Sequence, residues 1–168
     1  VYSLVNGVGR TEGRPIGALY SIPFAGLTEE GLPTFYIDAE HTQVVGPGNY
    51  ADIYFQEYEN IDYLKYEGTI DPKITGSFGN TFSWKGLKLN VFFTYSFGNV
   101  LRLDNLCPVY SSDYSDLTAS MKEMKNRWMV PGDENVTTIP SIPTVRQMRE
   151  IDALNNAYSA YNYSTERV

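Results

Sequence analysis

Two alternating segments, Ile74 to Trp84 and Leu87 to Phe97, joined at Lys85-Gly86, constrain this chain more than any other feature. On the first, Ile74, Phe78, Phe82 and Trp84 fall on one face, and Thr75, Ser77, Gly79, Thr81 and Ser83 on the other. On the second, Leu87, Leu89, Val91, Phe93, Tyr95 and Phe97 share a face opposed by Lys88, Asn90, Thr94 and Ser96. Side chains alternate across a strand, so each segment predicts a β-strand with one apolar and one small, polar face. Gly86 permits the positive φ that a two-residue hairpin turn favours, which predicts an antiparallel pair. Roughly 9–11 tilted residues of this kind cross a membrane as β-structure. A soluble hairpin of the same pattern would bury its apolar face on a core. The length of the pair, its aromatic ends and its small polar residues favour a barrel wall facing lipid.

The 168 residues are enough for one ordinary domain. Beginning at Val1 without a start methionine, signal peptide or charged leader, the chain is expected to be a piece of a longer protein. No run approaches the roughly 18 apolar residues of a transmembrane helix, a fact that leaves a barrel open because its strands never produce such runs. A net charge of −7 argues against a nucleic-acid partner, which would call for basic stripes. The 14 tyrosines suit membrane-interface girdles and sugar- or protein-binding loops alike, since the ring is apolar and the hydroxyl wet.

Motifs for chemistry are scarce. Cys107 is the single cysteine, so neither an intrachain disulfide framework nor a thiolate zinc cluster can form, and it reads as a small residue beside Pro108. His41, the single histidine, reads as solvated in the polar Asp38-to-Thr42 turn; nothing places it beside Cys107 as a catalytic pair. Gly7-Val8-Gly9 is followed by Glu12 where a dinucleotide fingerprint needs its third glycine, so it reads as a loop. Asp113 with Asp116, and Asp133 with Glu134, lack the dense oxygen register of a calcium loop and read as solvated acids. Asn135-Val136-Thr137 and Asn162-Tyr163-Ser164 match the short glycosylation pattern. Catalytic residues, metal ligands and a cofactor are therefore not expected.

Residues 1–73 are punctuated by glycine and proline, with Gly17 to Phe24 and Pro33 to Ile37 as candidate brief strands. The stretch 98–160 reads as a second long connection containing two short helices. Leu117, Met121, Met124 and Trp128 form one stripe of an amphipathic helix, capped by Ser115 or Asp116 and stopped by Pro131. Thr144 is a candidate cap for the other, with Val145, Met148, Ile151 and Leu154 near one face.

The order of short motifs along the chain resembles a known family. Glu12-Gly13-Arg14-Pro15-Ile16-Gly17-Ala18-Leu19-Tyr20 is followed by Phe24-Ala25-Gly26-Leu27 and Gly31-Leu32-Pro33. Next come Gly68-Thr69-Ile70-Asp71-Pro72-Lys73, Gly76-Ser77-Phe78-Gly79-Asn80-Thr81-Phe82 and Lys85-Gly86-Leu87-Lys88-Leu89. Arg127-Trp128-Met129-Val130-Pro131-Gly132-Asp133, Thr138-Ile139-Pro140 and Tyr163-Ser164-Thr165-Glu166-Arg167-Val168 complete the series. Together they resemble the C-terminal third of a SusC/RagA-type TonB-linked outer-membrane protein of Bacteroidetes, over essentially the whole chain. Each motif is weak alone; their order and spacing are specific. The chain departs from the usual pattern at Gly79 and at Glu166.

The resemblance implies a mainly β fold, a fragment of a large transmembrane β-barrel with long extracellular loops containing short helices. It implies 1–73 as an extracellular loop region with short strands, 74–97 as a membrane-spanning hairpin, 98–160 as an extracellular loop with two short helices, and 161–168 as the start of the next barrel strand. The implied function is non-enzymatic import of oligosaccharides or peptides across the bacterial outer membrane. Implied partners are a SusD-like surface lipoprotein, TonB through a segment outside this chain, and outer-membrane lipid. Tyr110, Tyr114 and Trp128 are candidate substrate- or lid-contacting residues, with Trp128 the one expected to hold its loop together. A secreted β-sandwich module that binds carbohydrate through exposed tyrosines is the alternative. A glycoside hydrolase would need two positioned carboxylates that the sequence does not single out.

Overall fold

Glycine and proline interrupt the first 70 residues so often that only short strands can form there. A computed structural model of the chain describes residues 2–7, 9–55, 61–106 and 122–168. Its helices are α1 (Tyr2–Val5), α2 (Asp52–Phe55), α3 (Val145–Glu150) and α4 (Leu154–Asn162). Its strands are β1 (Ala18–Ser21), β2 (Phe24–Leu27), β3 (Pro33–Tyr36), β4 (Val44–Val45), β5 (Lys65–Thr69), β6 (Ile74–Trp84) and β7 (Leu87–Phe97). The described chain is thus β-rich, with antiparallel sheets and few helices. β1 pairs with β5, β3 lies between β2 and β4, and β6 pairs with β7. The candidate strand over Gly17 to Phe24 is divided between β1 and the first residue of β2, with Pro23 in the gap, because proline cannot donate to a ladder.

The core gathers around the short strands. All four residues of β1 are buried. Phe35 of β3, Tyr50, Ile53 of α2, and Leu154 and Tyr161 of α4 are at most a few per cent exposed. Burying side chains of this size stabilises the fold by about 1.5–3 kcal/mol each. A buried hydroxyl must keep a partner. Tyr50 donates to the Pro33 carbonyl at 2.8 Å, and Tyr158 to the Ser141 carbonyl at 2.7 Å. Burial also raises the Tyr50 pKa above its ordinary value.

The C-terminal residues stitch distant segments together, and here the expected start of a barrel strand at 161–168 is corrected. Residues 161 and 162 end α4, and Thr165–Arg167 form a 3-10 turn. A single parallel bridge joins Ser164 to Ile22, with Ile22 donating to the Tyr163 carbonyl and Thr165 to that of Ile22. Arg167, 3% exposed, donates to Glu123 at 2.6 Å and to the Asp104 carbonyl. Asn162, also buried, accepts from the Leu106 amide, so this sequon is an internal tie. Arg102 donates to the Tyr20 carbonyl at 2.7 Å, and desolvation lowers its pKa. Polar side chains here replace a strand ladder as partners of the backbone.

Both expected helices differ from their sequence pattern. Thr144 does cap α3, forming a reciprocal capping box with Gln147. The helix then breaks, with Ile151 extended and Ala153 left-handed, before α4 begins at Leu154. The break changes which residues are covered: Val145 is exposed and Leu154 buried. In the other segment a 3-10 helix covers Lys122–Asn126, and the part before it lies outside the described residues. Trp128 is beyond its end, because the Trp128 amide donates to the Ile139 carbonyl at 2.9 Å instead of continuing the helix.

Candidate functional site

β6 and β7 pair over eleven residues each, from Ile74 opposite Phe97 to Trp84 opposite Leu87. The turn is the expected one: Lys85 and Gly86 both have positive φ, 44° and 89°, the conformation whose twist suits a two-residue hairpin. The register places Phe78 opposite Phe93, Phe82 opposite Leu89 and Asn80 opposite Val91. Alternation from that register puts Phe78, Phe82, Leu89, Val91 and Phe93 on one side, away from Thr75, Thr81, Asn90 and Thr94.

No residue of either strand is buried. Ile74, Phe78, Phe82, Trp84, Leu87, Leu89, Phe93, Tyr95 and Phe97 are each about half exposed or more. Lys73 donates to the Phe97 carbonyl across the hairpin base, and Val100 donates to the carbonyl of Thr69, the last residue of β5, which ties that base to the body. Monomeric soluble proteins rarely leave a contiguous apolar face of this size exposed.

Two glycines fix how aromatic rings lie on the sheet. A Cβ on Gly76 would collide with the ring of its cross-strand partner Tyr95, on the apolar side. On the opposite side, a Cβ on Gly79 would lie 2.8 Å from Cδ2 of its partner Phe92. Each ring thus covers bare backbone, an arrangement that pins strand register. Phe92 was obscured in the sequence by the apolar run Val91-Phe92-Phe93, although its even position assigns it to the polar face.

Trp128 is half-buried in a second, rigid corner. Its indole lies against Gly31, whose φ of 73° and lack of a side chain make room for the ring. Trp128 Nε1 donates to Glu134 at 3.0 Å, and Glu134 also accepts from the Gly132 amide. The indole bond is the foremost reason the Glu134 pKa falls below its ordinary value. Asp133 accepts from the amides of Met129 and Val130. These two acids cap a turn, which accounts for them without a ligand. Gly31 also accepts from the Ser141 amide, so the corner joins the β2–β3 turn to the segment before α3.

Tyr110, Tyr114 and Cys107 lie outside the described residues, as do Asp113 and Asp116. His41 is exposed and stacks on Tyr36 at 4.7 Å between ring centroids. Asp38 accepts from Thr42 and Gln43, and the Thr42 hydroxyl is the main cause of its lowered pKa. Among the described residues, no group of three or more histidines, cysteines or acids could hold a metal ion. Also among these residues, no helix is long and apolar enough to cross a membrane. Comparisons with family models, with curated proteins and with solved structures found no match.

Proposed function

We propose that this chain is part of a TonB-dependent outer-membrane transporter of the SusC/RagA type, importing oligosaccharides or peptides together with a SusD-like lipoprotein. In this reading β6 and β7 are adjacent barrel strands, with the Phe78–Phe93 side toward lipid and the Thr81–Asn90 side toward the lumen. The observation that carries it is the fully paired hairpin whose apolar face has no core to cover it. Eleven residues in each strand make it about 37 Å long at ~3.4 Å per residue. Tilted by about 40°, it would stand about 28 Å tall, close to the ~25 Å apolar band of such barrels. The ordered series of short motifs supports the same assignment.

Fractionation of cells expressing the full-length protein tests the location, and growth of a deletion strain on a panel of glycans and peptides tests the role. The expected results are recovery in the outer membrane and loss of growth on at least one oligosaccharide or peptide. A protein secreted free of membrane, or a deletion strain with unchanged growth on every nutrient in the panel, would contradict the proposal.

A further inference from the structure

Phe92 stands on the side of the hairpin otherwise made of small polar residues. The residue is 68% exposed although one edge of its ring sits over Gly79, with Cδ2 and Cε2 2.8 and 3.3 Å from where a Cβ would be. Gly79 therefore supports the ring against the sheet and leaves much of it open. Asn90 and Thr94 lie two residues to either side of Phe92, and Ser77 and Thr81 two to either side of Gly79. Residues in these positions share a face, with diagonal neighbours about 7–8 Å apart. An apolar plate is thus bordered by three hydroxyls and an amide, which both donate and accept hydrogen bonds. None of these four residues is charged. On this face Lys88 is the nearest ionic group, four residues and about 13 Å along the strand.

We propose that Phe92, with Ser77, Thr81, Asn90 and Thr94, forms a stacking subsite for a neutral saccharide. A pyranose ring has an apolar C–H face and a rim of hydroxyls, so it matches a plate with a polar border. An oligopeptide brings charged termini, and this patch has no acid to meet an ammonium group. The inference rests on the transporter reading in placing this side in the lumen, and it narrows the imported class from oligosaccharides or peptides to saccharides. If Phe92 served only to shield the Gly79 backbone, any apolar side chain there would do equally well.

The test is calorimetric titration of the intact, detergent-solubilised protein with hexasaccharides of α-glucan, β-glucan, xylan, mannan and fructan, and with hexa-alanine. At least one saccharide should bind, and F92A should weaken that binding by about tenfold, the equivalent of one good contact. F92L keeps Gly79 covered but lacks the aromatic face, and should lose as much as F92A. F92Y and F92W should bind nearly as well as the parent, and F93A, on the opposite side, should leave affinity unchanged. Equal binding by the parent and F92L, binding of hexa-alanine alone, or no saccharide binding at all would overturn the subsite. Fractionation of the same cells separates the two proposals. Phe92-dependent binding by a protein found outside the outer membrane would sink the transporter but keep the subsite; an outer-membrane protein indifferent to F92L would do the reverse.

Discussion

Phe35 and Phe93 are both phenylalanines on antiparallel strands, yet one is fully buried and the other 59% exposed. The body around Phe35 closes on itself. α4 and the C-terminal turn cover its short strands, and Arg102, Arg167 and Asn162 occupy backbone groups that no neighbouring strand takes. The hairpin around Phe93 pairs along its whole length, keeps one outer edge open on each strand and leaves its side chains open. An apolar pattern therefore shows which side must leave water, while only the surroundings show what replaces the water. For the body it is protein. For the hairpin, under the proposal, it is lipid on one side and a polar lumen on the other.

The largest expected effect separates the two regions. Phe35→Ala should destabilise the body by about 3–5 kcal/mol, because it removes a large side chain from a closed core. Urea unfolding followed by Trp128 emission, with Trp84 replaced by phenylalanine, reads this directly, since the indole packs beside the β2–β3 turn. Phe93→Ala should leave the same transition in place; an equal shift for both would mean the hairpin shares the body's core. A smaller effect distinguishes the hairpin's two sides. In the full-length protein, Val91→Arg should cost about 2–4 kcal/mol of barrel stability if Val91 lies near mid-membrane, and Thr81→Arg far less. Equal tolerance in a folding assay in lipid vesicles would break the distinction between the faces.

The smallest effect belongs to the body's rim. Hydrogen bonding, led by Trp128 Nε1, lowers the Glu134 pKa from its ordinary value of 4.5. A depressed folded-state value means that the carboxylate contributes stability above the ordinary value and loses it as pH falls through the lowered one. Trp128 emission, read with Trp84 replaced by phenylalanine, should stay constant from neutrality to near pH 4.5 and change only below it. Glu134→Gln should remove that transition.

The hairpin was legible in the sequence because its partners are neighbours: period-two alternation gives the faces and Lys85-Gly86 the register. The body was less so because its partners are remote. β1 pairs with β5, Ile22 with Ser164, and Trp128 with Gly31 and Ile139, contacts that no local period encodes. The same cause explains the particular misfits. The expected helix does not extend to Trp128 because a distant carbonyl takes its amide, and Arg102 and the Ile22 bridge hold the C-terminal segment without a strand. Of the candidate site, Trp128 was visible as the last member of a helical stripe and as the residue expected to hold its loop together. The seat of Phe92 on Gly79 appears only once the two strands are set in register.

The central claim is that neighbouring residues of β7 face different solvents. With Cys107 and any other cysteine of the full-length protein replaced by serine, a nitroxide attached to a sole cysteine at each position from 89 to 95 can be read in lipid bilayers. Collision with oxygen, which concentrates in the acyl chains, should be high at 89, 91, 93 and 95. Collision with a water-soluble nickel complex should be high at 90, 92 and 94. Collision rates that fail to alternate, or seven positions equally open to the nickel complex, would contradict a barrel wall.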